Sequence, residues 1–194
     1  MSAREPAMSR AAQDAELIRR IAAGEETALR ALLAAHQMRV FRFVMRLVCN
    51  EAVAEEVMSE VFLEVWRNAA RFEGASAPGT WILSIAHNLA VSRLRKRREE
   101  SWDEDAAGSL QDERDDPEVA LQKVDKGEVL RRCIDKLSAD HKAVIDLVYY
   151  HELSVIEVAE VLKIPENTVK TRMFYARKRL SEVLKAHGVD RGWP

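Results

Sequence analysis

The stretch Arg93–Glu118 constrains the fold of this chain more than any other. It opens with RLRKRR, five cations in six residues. Glu99–Glu118 then holds ten Asp/Glu and a single Arg, a net charge of about −9. That acidic run has no apolar period and cannot bury a core, so it reads as a flexible linker. The chain must therefore build its cores on either side. The charge division predicts one domain over about 10–98, a linker over about 99–118 and a second domain over about 119–187. A length of 194 residues and a hydrophobic content of 47% suit such a division.

Both flanks carry helical patterns. The chain has only seven glycines and few strand-like alternations, which predicts an all-α fold of two helical domains. In the first domain, Leu17, Ile18 and Ile21 mark a short helix. Leu29, Leu32, Leu33, His36, Val40, Phe41, Val44, Leu47 and Val48 give a long one a broad apolar face. Val53, Val57, Val61 and Val65 recur every four residues on a third, widened by Phe62 and Trp66. Glu55, Glu56, Ser59, Glu60 and Glu64 are left facing outward as an acidic strip. That strip is either a solvated face or a docking surface for a basic partner helix. Arg71–Gly79 reads as a loop from its Gly and Pro content. Thr80 is the expected cap of a fourth helix, with Trp81, Ile82, Ile85, Ala86, Leu89, Ala90 and Leu94 running into the basic cluster. Trp81 shares that apolar spacing and is read as core before stacking platform. His87 is expected at the surface, without proton chemistry.

In the second domain, Leu130, Cys133, Ile134 and Leu137 form one apolar face, and Ala143, Val144, Leu147 and Val148 another. They support SVIEVAEVLKIPENTVKTRMFYARKRL, residues 154–180. Ser154 with Glu157 is a capping box, each side chain able to satisfy an orphan amide at a helix start. Val155, Val158, Ala159 and Leu162 follow on one face, and Lys163-Ile164 ends the helix. Pro165 suits the first position of the next, where its missing N–H costs nothing. Val169, Met173, Ala176 and Leu180 line the inner side of that helix. Residues 163–185 hold seven Lys/Arg against two Asp/Glu, while the whole chain is near −2. Two short helices, a tight break and localised cations are the layout of a helix-turn-helix whose second helix enters a DNA major groove.

Other chemistries find no support. The sequence lacks a P-loop, HExxH or CxxC, and its five histidines are scattered, so neither a catalytic site, a metal nor a cofactor is expected. Cys49 and Cys133 form no metal spacing or disulfide framework, and both are expected as buried thiols. No apolar run approaches ~18 residues, so no membrane insertion is expected. Met1–Arg10 lacks the apolar region of a secretory signal. The expected location is cytoplasmic.

The order of these parts is specific. FxxVxxLxxxxAxAEEVxxEVFLEVWRNAARFEG, then TWILSIAHNLAVSRLRKRR, a linker and a C-terminal helix-turn-helix resemble a bacterial RNA polymerase sigma factor of the sigma-70 family. The short two-domain form resembles its extracytoplasmic-function (ECF) group, from about Asp14 to His187. The resemblance implies that the first domain is region 2 and the second region 4. Region 2 would dock on the clamp helices of the polymerase largest subunit through Glu55, Glu56, Ser59 and Glu60. The family usually has Gln at the place of Ser59 and often Asp at that of Val53. Region 2 would also melt and read the promoter −10 element. Phe72, Gly74 and Ser76 lie on a loop like the one that captures a flipped base, and Asn88 matches a base-reading Asn. Arg93, Arg95, Lys96, Arg97 and Arg98 would hold phosphates near the fork. Region 4 would contact the polymerase flap and read the −35 element. Thr171, Phe174 and Tyr175 would face bases, with Thr168 beside them and Lys170, Arg172 and Arg177 on phosphates. Several relatives have Arg at the place of Tyr175.

The resemblance further implies a separate anti-sigma factor and a linker threading the polymerase's RNA path. From charge alone the linker is equally a solubilising spacer. No small-molecule substrate is implied. Two other readings stay open. One is a sigma-like decoy that captures an anti-sigma factor, which would not need RLRKRR, Asn88 or a basic recognition helix. The other is a stand-alone helix-turn-helix repressor, which the first domain's pattern disfavours.

Overall fold

A computed structural model describes residues 9–105 and 126–186. Among them every regular element is helical, as the spacing of apolar residues predicts.

Four helices form the first domain. Helix α1, Arg10–Ala22, is capped by Ser9, whose hydroxyl accepts from the Ala12 amide at 3.3 Å. Gly24, with φ of +85°, reverses the chain after it, a conformation that costs glycine no Cβ clash. Helix α2, Glu26–Val48, is the spine, packing on α1, α3 and α4. It ends at Cys49 in the left-handed conformation. Helix α3, Glu51–Asn68, starts on Asn50, which caps the Val53 amide at 3.0 Å. A single 3₁₀ turn, Ala69–Arg71, follows.

Helix α4, Pro78–Asp105, departs from the expected bounds at both ends. It starts at Pro78 rather than after Thr80. Proline's fixed φ suits a first turn and its absent amide would have been unpaired there. Ala77 accepts the first helical bond, from the Trp81 amide at 3.0 Å, and Thr80 is buried instead of capping. At the other end α4 runs seven residues past Arg98 into the acidic stretch. Glu99 lies one turn from Arg95, 3.9 Å away, a pairing that favours helix over coil. Most of the expected linker lies outside the described residues.

The second domain comprises α5 (Lys126–Asp135), α6 (Ala139–Tyr149), α7 (Val155–Leu162) and α8 (Glu166–Ala186). Ser138 caps α6 through the His141 amide at 3.4 Å. Its core is Cys133, Ile134, Leu137, Val144, Leu147, Val158, Val161 and Val169.

The two domains are not separate bodies joined by a tether. Helix α4 packs on α7, and α2 on α6. A continuous buried cluster runs from Ile18 through Phe43, Val57 and Ile82 to Val144, Val158 and Ala176. The patterns find most of this core. They miss Phe43, fully buried beside the expected stripe of α2.

Candidate nucleic-acid interface and docking strip

The helix-turn-helix forms as its caps require. The Ser154 hydroxyl accepts from the Glu157 amide at 3.3 Å, and the Ser154 amide donates to Glu157 Oε2 at 2.8 Å. Helix α7 stops at Lys163, whose φ of 54° bends the chain, and the Ile164 amide closes on the Ala159 carbonyl at 3.1 Å. Pro165 sits one position earlier than expected. Its carbonyl accepts from Thr168 and Val169, so it precedes the first residue of α8.

Val169, Met173 and Ala176 hold α8 against the domain, with Val183 extending the seam and Leu180 half-buried. The opposite face presents Lys170, Thr171, Phe174, Tyr175, Arg177 and Lys178 to solvent. Phe174 is 63% exposed and Tyr175 53%, their rings edge-on at 5.4 Å. Two adjacent aromatic rings in water, amid cations, have no structural use in the isolated fold and fit a surface that meets base edges. Thr171 donates its hydroxyl back to the Asn167 carbonyl at 2.9 Å. Thr168 is half-buried at the helix start. Arg172 is not free. It pairs with Asp140 of α6 at 2.9 Å, which anchors α8. Arg177 lies 5.7 Å over the Tyr149 ring. Beside this face Lys136, His141, Tyr175, Lys178 and Arg179 line a groove that no single helix pattern reveals, because it forms between α5, α6 and α8.

In the first domain Phe72 is half-buried and packs on Trp81, ring centroids 4.9 Å apart. Trp81 joins the core, as its spacing suggests. Gly74, with φ of +72°, turns the loop in open space, and Ser76 is half-buried. Asn88 is exposed on α4. Further along α4, Arg93, Lys96 and Arg97 rim a 190 Å³ cavity floored by Val48, Val53 and Leu94, and Arg95 stands outside it.

The acidic strip does not stand alone. Glu55, Glu56 and Ser59 are exposed, whereas Glu60 and Glu64 are half-buried. Arg93 reaches Glu60 at 3.0 Å and Glu56 at 3.5 Å, joining the strip to the basic cluster. The hydrogen bond to Glu60 holds the Arg93 guanidinium above its ordinary range. Leu63, 53% exposed, adds an apolar element to this face. Its place two residues off the Val57–Val61–Val65 row puts it on the outward side of α3, a signal legible in the sequence.

Two expectations fail. His87 is half-buried rather than a surface residue. Its ring lies 6.5 Å from that of Phe43, and Nδ1 is buried without a hydrogen-bond partner. Burial pushes its pKa down, as do Arg172 and Lys163, while Asp140 opposes them. The cause is the second domain, which covers this part of α4. Cys49 is exposed rather than buried, because it occupies the left-handed cap of α2. Cys133 is buried, and desolvation raises its thiol pKa. Among the described residues no three His, Cys, Asp or Glu side chains gather in a way that could hold a metal, and no helix is long and apolar enough to cross a membrane.

The comparisons decide the family. The sigma-70 region 2 profile matches residues 32–100, and the sigma-70 region 4 profile residues 127–180. The ECF RNA polymerase sigma factor SigL of Mycobacterium tuberculosis is 31% identical over 174 residues, 88% of this chain and 96% of SigL. This chain belongs to the ECF sigma factors. SigW of Bacillus subtilis is 29% identical over 177 residues, 87% of this chain and 95% of its own. Among solved structures, the sigma factor RpoE of Bartonella quintana, crystallised with the anti-sigma factor NepR, matches with a TM-score of 0.66. Its identity is 26%, over 84% of this chain and 98% of RpoE. As an ECF sigma factor the chain is a transcription initiation factor that binds core RNA polymerase and promoter DNA.

Proposed function

We propose that the two domains divide promoter recognition as two grips whose spacing core polymerase sets. Residues 119–187 act as region 4 and read the −35 element through α8. Thr171, Phe174 and Tyr175 meet base edges there. Lys170 and Arg177 hold phosphates, with Thr168 beside them. Arg172 joins that set only if it leaves Asp140. Residues 10–98 act as region 2. Phe72, Gly74 and Ser76 shape the loop that accepts an unstacked −10 base. Asn88 reads a base edge, and Arg93, Arg95, Lys96 and Arg97 line the phosphate path. Glu55, Glu56, Ser59 and Glu60 dock on the clamp helices of the largest subunit, and region 4 contacts the flap.

The observation that carries this reading is the exposed Phe174–Tyr175 pair on a helix rimmed by Lys170, Arg177 and Lys178. A free recognition helix with this few contacts binds DNA weakly, so it serves best inside a larger assembly. We place the protein in the cytoplasm, without an enzymatic activity of its own and under the control of a separate anti-sigma factor. The complex of the related RpoE with NepR supports that control.

The test is transcription by core polymerase on a genomic template library, with and without the purified chain. Initiation from a shared −35/−10 motif is expected only with the chain present. Its absence, with anti-sigma binding retained, would favour the decoy. Tyr175→Ala is expected to change which −35 sequences are used, whereas Lys170→Ala weakens all of them alike and lowers the salt slope by about one.

A further inference from the structure

The contact between the domains is polar where most cores are apolar. Arg39 and Arg46 lie two turns apart on one face of α2. Arg46 donates to Asp146 of α6, a carboxylate only 2% exposed, and its guanidinium carbon lies 3.8 Å from the centre of the Tyr150 ring. Arg39 Nε donates to His151 Nδ1 at 3.0 Å, and its Nη2 approaches the His151 carbonyl at 3.5 Å. His151 Nε2 is 3.1 Å from Asp146 Oδ2, out of hydrogen-bonding line, and the ring stands edge-on to Phe43 at 5.6 Å. Lys142 Nζ meets Cys49 Sγ at 3.4 Å at the rim. Gly79 leaves the Arg39 guanidinium its place, since a Cβ there would lie 3.0 Å from Nη1.

The buried carboxylate thus takes its cation from the other domain. Within its own domain His151 Nε2 lies beside Asp146 without hydrogen-bonding it, while Nδ1 accepts from Arg39. A buried pair of this kind is close to break-even against hydration of both partners, but removing one partner in the closed state is costly. Such a contact holds firmly when complete and still separates into water without a large penalty.

Closure and promoter engagement exclude each other by distance. The −35 and −10 elements lie about 25 base pairs apart, or about 85 Å along a duplex rising 3.4 Å per step. Domains in side-chain contact do not span that. The 20 residues between Asp105 and Lys126 reach up to about 70 Å when extended, which with the width of the domains themselves allows the separation. Closure also covers His87 Nδ1, next to Asn88 on α4.

We propose that Arg46–Asp146, with Arg39–His151, forms an intramolecular latch that keeps the free factor closed and unable to grip both promoter elements. This deepens the sigma reading above and rests on it. Opening exposes α4 and frees the helix-turn-helix to move away, and docking on polymerase captures the open form.

The test uses the full chain. Small-angle scattering of the free wild type is expected to give a radius of gyration near the roughly 16 Å of a compact chain of this length. Arg46→Asp and Asp146→Arg each raise it by at least about a third, and each raises binding of the free factor to −35/−10 DNA about tenfold. The double exchange Arg46→Asp with Asp146→Arg restores closure and weak binding. Circular dichroism checks that each variant stays helical, and Arg46→Gln replaces any that does not. An extended wild type, single variants as compact as wild type, or a double exchange as open as the singles would each overturn the latch. A latch that behaves as stated in a chain that never supports initiation with core polymerase would refute the sigma reading and leave the latch standing.

Discussion

Arg93 shows how one side chain can belong to two surfaces. Its sequence neighbours assign it to the basic path along α4, yet it bonds Glu60 and Glu56 on α3. Glu56 is exposed and the half-buried Arg93 and Glu60 still keep more than a third of their side-chain surface in water, so the pairing is worth no more than about 1 kcal/mol. The contact is thus an easily exchanged partnership between the proposed docking strip and the proposed phosphate path. On the proposed docking mode, a basic clamp helix that takes Glu56 and Glu60 would release Arg93 toward DNA. Glu60→Gln is expected to shift folding stability by less than about 1 kcal/mol while weakening binding to core polymerase severalfold. Thermal melting and fluorescence anisotropy with labelled factor measure the two effects. Unchanged polymerase affinity would remove Glu60 from the docking surface.

At the level of elements, the best-read parts are those whose determinants are local. The Ser154–Glu157 box and the α7/α8 break are written within eleven residues, and the four-residue valine row makes the inner face of α3 plain. The starts of α8 beside Pro165 and of α4 at Pro78 differ from the expected ones by one and three residues, since proline fixes φ without saying which side of it the helix begins. The face of α4 that carries His87 was misread for another reason. Periodicity reports that a side is polar, but what covers that side comes from α6–α8, more than fifty residues away. Most residues proposed for docking and DNA contact are readable as a charged or polar face, whereas the diversion of Arg172 to Asp140 and of Arg93 to Glu60 is not, because each partner lies on another helix.

His87 on α4 also gives a pH dependence with a defined sign. Burial is the main cause of its lowered pKa, Arg172 and Lys163 act the same way, and Asp140 opposes them. The folded state therefore prefers neutral His87. Its contribution is fully present above the unfolded value of about 6.5 and is lost as pH falls from there through the lower folded value. Because the burial comes from the second domain, acid loosens the α4–α7 contact. Hydrogen exchange of α7 amides is expected to rise between about pH 6.5 and 5 beyond its intrinsic pH dependence. His87→Gln flattens that rise. An equal rise in His87→Gln would assign the effect to another group.

For the whole molecule, the question is whether two domains with one continuous core unfold as one. The buried cluster crosses from Phe43 and Ile82 to Val144 and Val158, and the polar contacts at its edge join residues about a hundred positions apart. Such coupling makes the weaker domain borrow stability from the stronger, and the pair then melts in a single transition. The chain offers a clean reporter. Trp66 and Trp81 belong to the first domain, and replacing Trp102 and Trp193 by Phe leaves tryptophan fluorescence reading that domain alone. Ellipticity at a helical wavelength reads both. In urea the two curves of this background are expected to coincide. Adding Arg46→Gln leaves the Asp146 carboxylate without its cation in the closed state and favours separation by about 2 kcal/mol or more. Ellipticity should then fall before fluorescence, because α5–α8 enclose the smaller core and lose the support of α2 and α4. The fluorescence transition should also become shallower, as a domain unfolding alone exposes less surface than the joined pair. Coincident curves in both proteins would mean that the apolar part of the interface couples the domains unaided. Separate curves already in the starting protein would mean that they are independent in solution.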